Sequence, residues 1–167
     1  MSLLLNGAKT MTIAGTEMQC LEIYTGEAYT FPINFKDQNG NAANANVPNL
    51  WSITASAKYY TVDTVTYNAS NTEVTLGNLN YDPNTQPNAN AYTLVTNWSN
   101  SANGTAYLYV GDNITGSGNG TPNIGLANSA ANSVLFLVTL TVSKESLSNS
   151  SLTDVNREPL GFIVRYQ

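Results

Sequence analysis

Short runs rich in valine, threonine, tyrosine and isoleucine recur along this chain, and clusters of asparagine, glycine and proline separate them. That punctuation constrains the fold more than any other feature. β-Branched and aromatic side chains suit a pleated surface, and the intervening residues supply turns. The pattern predicts strands over 10–14, 18–25, 28–36, 50–58, 59–67, 72–77, 91–98, 105–110, 133–142 and 161–167. Runs of helix-forming alanine, glutamate and lysine are absent, so a helical or α/β fold would oppose local preference throughout. The expected architecture is all-β: an antiparallel β-sandwich, one domain over residues 1–167, with at most one short helix.

Several segments are specific enough to assign faces. In Ala28 to Lys36, period-2 alternation places Tyr29, Phe31, Ile33 and Phe35 on a buried face and Thr30, Asn34 and Lys36 outside. Pro32 falls on the outer face and cannot donate to a ladder, which predicts a strand at an edge or beside a bulge. Asn39-Gly40 then supplies the positive φ angles of a tight turn. In the next strand, Trp51, Ile53, Ala55 and Ala57 share one side. Residues 60–67 and 72–76, joined through Asn68-Ala69-Ser70-Asn71, read as a hairpin. Val134 to Val142 is the longest apolar run and predicts a central strand buried on both faces. Ser143 to Ser148 opens on a good N-cap residue and is the place for a helical turn. The terminal strand-like stretch, Gly161 to Gln167, should be pinned into a sheet. Residues 77–90 and 111–132 read as long Asn/Gly-rich loops, the second longer than compact domains usually carry, which suggests a contact role.

Composition bounds the function. The chain has 24 asparagines among 167 residues, only 17 charged residues and no histidine. Solubility therefore comes from neutral amides and hydroxyls, a surface suited to meeting other protein surfaces. A net charge of −5, with six scattered cations and no basic stripe, predicts no nucleic-acid partner and no anionic-membrane partner. The N-terminal apolar run, Leu3-Leu4-Leu5, is too short for a signal peptide, so synthesis in a cytoplasm without export is expected. Cys20 is alone and sits in an apolar alternation, which predicts a small core residue. Six Asn-x-Ser/Thr triplets occur, no more than chance provides in a chain this rich in those residues.

Catalytic constellations are mostly excluded. Without histidine there is no Ser-His-Asp triad, no Cys-His pair and no His-containing zinc site. The Gly-rich segment 116–125 lacks the Lys-Ser/Thr of a phosphate loop. Glu17, Glu22 and Glu27 could supply a carboxylate pair for glycoside hydrolysis. Their spacing of five puts successive members on opposite sheet faces, however, and predicts solvated strand-edge charges. Asp112, Asn113 and Asn119 offer calcium-type oxygen ligands, with a single carboxylate among them. No catalytic residue, cofactor or metal is assigned. The aromatic residues carry more: Tyr59, Tyr60, Tyr107 and Tyr109 lie in alternating strands, with Trp98 nearby. Outward members of such sets are favoured at interfaces, so these five are the candidate interface residues.

Two blocks of the chain carry a family resemblance. The first is Glu22-Ile23-Tyr24-Thr25-Gly26-Glu27-Ala28-Tyr29-Thr30-Phe31, then Phe35-Lys36-Asp37-Gln38-Asn39-Gly40-Asn41 and the strand from Trp51 to Lys58. The second is the apolar strand Leu135 to Val142, the capped segment Ser143 to Ser148, and Gly161 to Tyr166. This layout resembles the N-terminal, immunoglobulin-like domain of phage baseplate upper proteins and related tail-fibre attachment domains. The resemblance implies an immunoglobulin-like sandwich in a bacteriophage virion, at the tail or baseplate, whose partners are other virion proteins or copies of itself. Two alternatives stand beside it. One is a capsid decoration protein. The other is a carbohydrate-binding module that stacks a surface glycan on exposed tyrosines and Trp98.

Overall fold

A computed structural model describes residues 2–79, 92–111, 133–149 and 153–165. Within them the chain is all-β, and eleven strands join edge to edge in one curled sheet. The strands are β1 (Ser2–Leu5), β2 (Lys9–Ile13), β3 (Thr16–Tyr24), β4 (Tyr29–Lys36), β5 (Ser52–Val62), β6 (Thr64–Tyr67), β7 (Glu73–Gly77), β8 (Tyr92–Asn100), β9 (Thr105–Val110), β10 (Ser133–Glu145) and β11 (Thr153–Arg165). Their order across the sheet is β1-β4-β9-β8-β5-β10-β11-β3-β2-β7-β6. Most pairs are antiparallel, but β11 runs parallel to β3 and β2 runs parallel to β7. The sheet is therefore mixed, which corrects the expectation of a purely antiparallel one. Hairpin turns enforce antiparallel neighbours, whereas these two pairs join strands distant in sequence, which no turn constrains.

The alternation in β4 is borne out. Ile33 and Phe35 are buried, Tyr29 and Phe31 half-buried, and Thr30, Pro32, Asn34 and Lys36 exposed. Pro32 is not on an edge strand as such, since β4 lies between β1 and β9. β1 reaches only as far as Ile33, however, so the half of β4 that holds Pro32 is uncovered on that side. The Phe35 N–H donates to Gly104 O at 2.9 Å, so odd residues of β4 turn their amides toward β9. The missing N–H of Pro32 thus points to the uncovered side and costs no ladder bond. The following turn is organised by Asp37, whose Oδ1 accepts from the backbone N–H of Asn39 at 2.8 Å and of Asn41 at 2.9 Å.

β10 is the predicted central strand. It pairs with β5 on one side and β11 on the other. Both ladders carry it past Val142, to Ser143 opposite Ser52 and to Glu145 opposite Thr153. The helical turn expected at Ser143 to Ser148 is therefore absent, because two flanking strands outweigh one N-cap residue. Among the described residues the one helical element is a 3-10 turn at Ser101–Asn103. The Asn100 side chain caps it by accepting from Asn103 N–H at 3.3 Å.

Alternation in β10 and β11 feeds two cores on opposite faces of the sheet. Phe136, Val138, Leu140, Leu160, Phe162 and Val164 enter a larger core, which the sheet curls around and which Phe35, Leu108 and Ile23 complete. Leu135 and Ile163, one step out of phase, enter a smaller core with Met11, Met18, Cys20, Tyr60, Val62 and Val74. Phe162 is wholly buried, with the Phe31 ring centroid 5.0 Å away. Cys20 is buried as expected, and burial pushes its thiol pKa up to about 12. Most of the two long loops, 80–90 and 112–132, lies outside the described residues, and so do Asp112, Asn113 and Asn119.

Candidate interaction surface

Curling puts one face of β1, β4, β9 and β8 on the larger core and turns the other outward. Register fixes the outward face row by row. Thr30 lies opposite Tyr109, and Tyr109 opposite Val95. Pro32 lies opposite Tyr107, and Tyr107 opposite Asn97. Leu4 lies opposite Asn34, and Asn34 opposite Thr105. Val95 is 59% exposed, Leu4 51% and Tyr109 37%. These nine positions carry no charge. Threonine hydroxyls and asparagine amides surround the apolar members, and the Thr105 hydroxyl donates to Asn34 Oδ1 at 3.3 Å. Lys36, exposed opposite Ser2 in the next row, stands at the rim of this face. A face with tyrosine at its centre and its charge at the rim has the composition of an interface, where charged residues are depleted from the core and aromatics enriched.

The five candidate residues divide among three environments. Tyr107 and Tyr109 sit together on this outward face. Trp98, on the same β8 strand as Val95, points the other way. Its Nε1 donates to Trp51 O at 2.8 Å, and its ring lies 5.4 Å from Phe35. Tyr59 is half-buried, 6.0 Å from the Phe136 ring, beside the larger core. Tyr60 is 3% exposed in the smaller one. Val95, Leu4 and Pro32 were not in the candidate set. Val95 could have been found from the phase of β8, since Leu94 faces in and its neighbour must face out.

The three glutamates share no pocket, but Glu22 departs from the solvated strand-edge charge expected of it: β3 lies between β11 and β2, and Arg165 and Tyr67 hold the half-buried carboxylate. Glu22 joins a polar cluster on the smaller-core side: Arg165 Nε lies 2.8 Å from its Oε1, an ion pair whose N–H is not aligned for a hydrogen bond. The Tyr67 hydroxyl donates to Glu22 Oε2, and Lys9 Nζ stands 4.1 Å above the Tyr67 ring. Glu27 accepts from the Tyr29 hydroxyl at 2.5 Å in the turn before β4. Burial, then the bond to Glu27, raises the Tyr29 pKa. Glu17 stands apart, at the exposed end of the β2–β3 hairpin. Among the described residues no group of three or more Cys, Asp or Glu converges as a metal site, and no helix is long and apolar enough to cross a membrane.

No protein-family model matches the chain, and no curated protein matches it either.

Proposed function

We propose that this chain is a structural protein of a bacteriophage virion, a tail, baseplate or fibre-attachment component that works through protein–protein contacts. One observation carries the reading: the outward face centred on Tyr107, Tyr109 and Val95, whose nine central positions carry no charge. Tyrosine brings large contact area with few rotors to freeze, so such a face favours permanent association. The small number of charged residues supports the same reading, since few ionised side chains must be desolvated when surfaces meet. An immunoglobulin-like sandwich belongs to the proposal too, supported by the layers of strands that close over Phe35, Phe136 and Phe162. The face would serve a capsid decoration protein equally well, and electron microscopy of the particle would separate the two locations.

The test is assembly. The purified chain should oligomerise with rising concentration in light scattering, or co-purify with a larger particle. Replacing Tyr109 and Val95 together by lysine sets two like charges opposite each other on the face and should disperse the assembly. A wild-type chain that stays monomeric at high concentration and retains no partner sinks the reading. So does a double variant that assembles as the wild type does.

A carbohydrate-binding reading has one observation in its favour: Tyr107 and Tyr109 share the outward face with Asn34 and Asn97, Tyr107 lying opposite Asn97. Glycan-dependent change in tyrosine emission, lost in a Tyr107→Ala variant, would support it.

A further inference from the structure

β2 and β7 meet over two residue pairs only, Thr10 with Glu73 and Met11 with Val74, and then part. Beyond that point β2 stays paired with β3 as far as Ile13, and β7 stays paired with β6 as far as Gly77. The two strands therefore diverge like the arms of a wedge. Between them lies an open cleft of about 510 Å³. Ile13, Val74, Leu76 and Leu79 form its floor, continuous with the smaller core, while Glu17 and Glu73 stand exposed on its walls.

Backbone phase decides which groups face the cleft. Thr10 N–H donates across the closed end to Thr72 O at 2.9 Å, so Thr12, two residues on, turns its backbone the same way. On β7 the Glu73 carbonyl accepts from Asn68 N–H on the β6 side at 3.1 Å. The next residues in the alternate phase, Val74 and Leu76, therefore turn their backbone groups away from β6 and toward the wedge. Val74 is met by Met11, whereas Leu76 has no strand opposite it on that side among the described residues. A free N–H and C=O above an apolar floor is what an added strand pairs with.

We propose that this wedge takes an extended, basic peptide segment of a partner protein, added as a strand along β7. Extension follows from the backbone pairing at Leu76. The alternating demand of an apolar floor and a hydroxyl-lined rim (Thr10, Thr12, Thr75) calls for alternating apolar and polar side chains. Basic character follows from the charge of the lining, which holds two carboxylates and no cation. The nearby Lys9 is occupied by Asn71 Oδ1 at 2.9 Å and by the Tyr67 ring. Glu73 has only a 3.5 Å contact from Asn68 Nδ2 to hold it, so its carboxylate is free to turn to a ligand. None of these residues belongs to the tyrosine face, and the wedge stands or falls independently of it.

The probe is a blocked peptide, lysine-threonine-valine-threonine-valine-lysine, titrated into the full chain by calorimetry while Leu76 N–H exchange is followed by NMR. Leu76 N–H should exchange freely in the unliganded protein and at least about tenfold more slowly at saturation. Methylating the valine amides of the peptide should abolish binding, because it removes the donors a strand needs. The Glu17→Lys/Glu73→Lys double variant, altered only at exposed positions, should bind roughly fivefold more weakly. It should in turn prefer the counterpart peptide with glutamate in place of lysine. Three results overturn the proposal: no binding up to about 1 mM, equal binding of the methylated peptide, or a Leu76 amide already protected in the free protein. That last result would mean that the chain itself or a second copy fills the wedge.

Discussion

Gln19 and Leu5 are joined by a side chain acting in place of a strand. The Gln19 Oε1 accepts from the Leu5 N–H at 2.7 Å, and its Nε2 donates to the Leu3 carbonyl at 2.8 Å. β1 ends the sheet order on one side, with β4 as its one neighbour. Its other edge would present open backbone groups, the usual liability of an edge strand. The amide of Gln19 offers one acceptor and donors in the spacing of a peptide group, so one residue covers both. Because Gln19 lies on β3, the bond also ties the two sides of the curl together over the larger core.

Removing that amide should therefore loosen the curl. We expect Gln19→Ala to lower stability by about 2 kcal/mol, the net worth of two half-buried hydrogen bonds. Leu5 N–H should lose its protection from exchange, while amides in the centre of β10 change only as global stability does. Gln19→Glu keeps the acceptor for Leu5 but sets a carboxylate against the Leu3 carbonyl. Its deficit should shrink as pH falls and the carboxyl gains a proton to donate. Urea denaturation with amide exchange measures both.

Gly104 is required for a reason that its turn position alone does not give. Its φ is 61°, in the left-handed region, and an added Cβ would lie 2.5 Å from Ala43 O and 2.9 Å from Phe35 O. Those are backbone atoms and have nowhere to go. Gly104→Ala should cost about 2–3 kcal/mol. Gly40 has a similar φ of 81° with open space around its Cβ position, so Gly40→Ala should cost only about 1 kcal/mol. Thermal unfolding of the two variants side by side separates steric closeness from backbone strain.

What the residues alone disclosed follows from which interactions are local. β4 and β10 were legible because alternation and an unbroken apolar run are written in consecutive residues. The first half of β11 was not. Thr153, Asp154 and Arg157 are polar and exposed, and they are extended because β10 pairs with them along its whole length. β1 was hidden for a similar reason, since its short apolar run matches no period. β5 and β6 were read as meeting at Lys58–Tyr59, whereas β5 runs unbroken to Val62. Alternation in β5 correctly puts Tyr59 and Tyr60 on opposite faces. Ser52, Thr54 and Ser56 leave one face of β5 exposed, but its Tyr59–Val62 end has a core on each face, so neither tyrosine faces outward. The parallel pairings and the wedge they open depend on partners distant in sequence, for which no local signal exists.

The aromatic residues should accordingly fall into two energetic groups. Trp98→Ala should cost about 3–4 kcal/mol, because it removes a ring packed on Phe35 and leaves the Trp51 carbonyl without its donor. Tyr109→Thr, at an exposed position of a strand, should stay within about 0.5 kcal/mol of the parent. Its effect should appear in assembly instead. Chemical denaturation of the dispersed chain, paired with light scattering of the assembled one, reads the two quantities separately. Comparable losses of stability from both substitutions would mean that Tyr109 is a packing residue.

Cys20 supplies a pH dependence with a definite sign. Its thiol is raised from 9.0 to about 12 by burial. The folded state therefore holds the proton where the unfolded state releases it. The stability this contributes is intact below pH 9 and is lost as pH climbs toward 12, at about 1.4 kcal/mol per unit. Tyr29, raised by burial and by its bond to Glu27, adds a decline of the same sign at higher pH. Cys20→Ala should flatten the alkaline limb without removing it, after a fixed loss from the smaller side chain. The thiol should also resist iodoacetamide at pH 8 in the native protein and react once urea unfolds it, because only the thiolate attacks. Rapid labelling of the folded chain at pH 8 would show that the smaller core opens to solvent around Cys20.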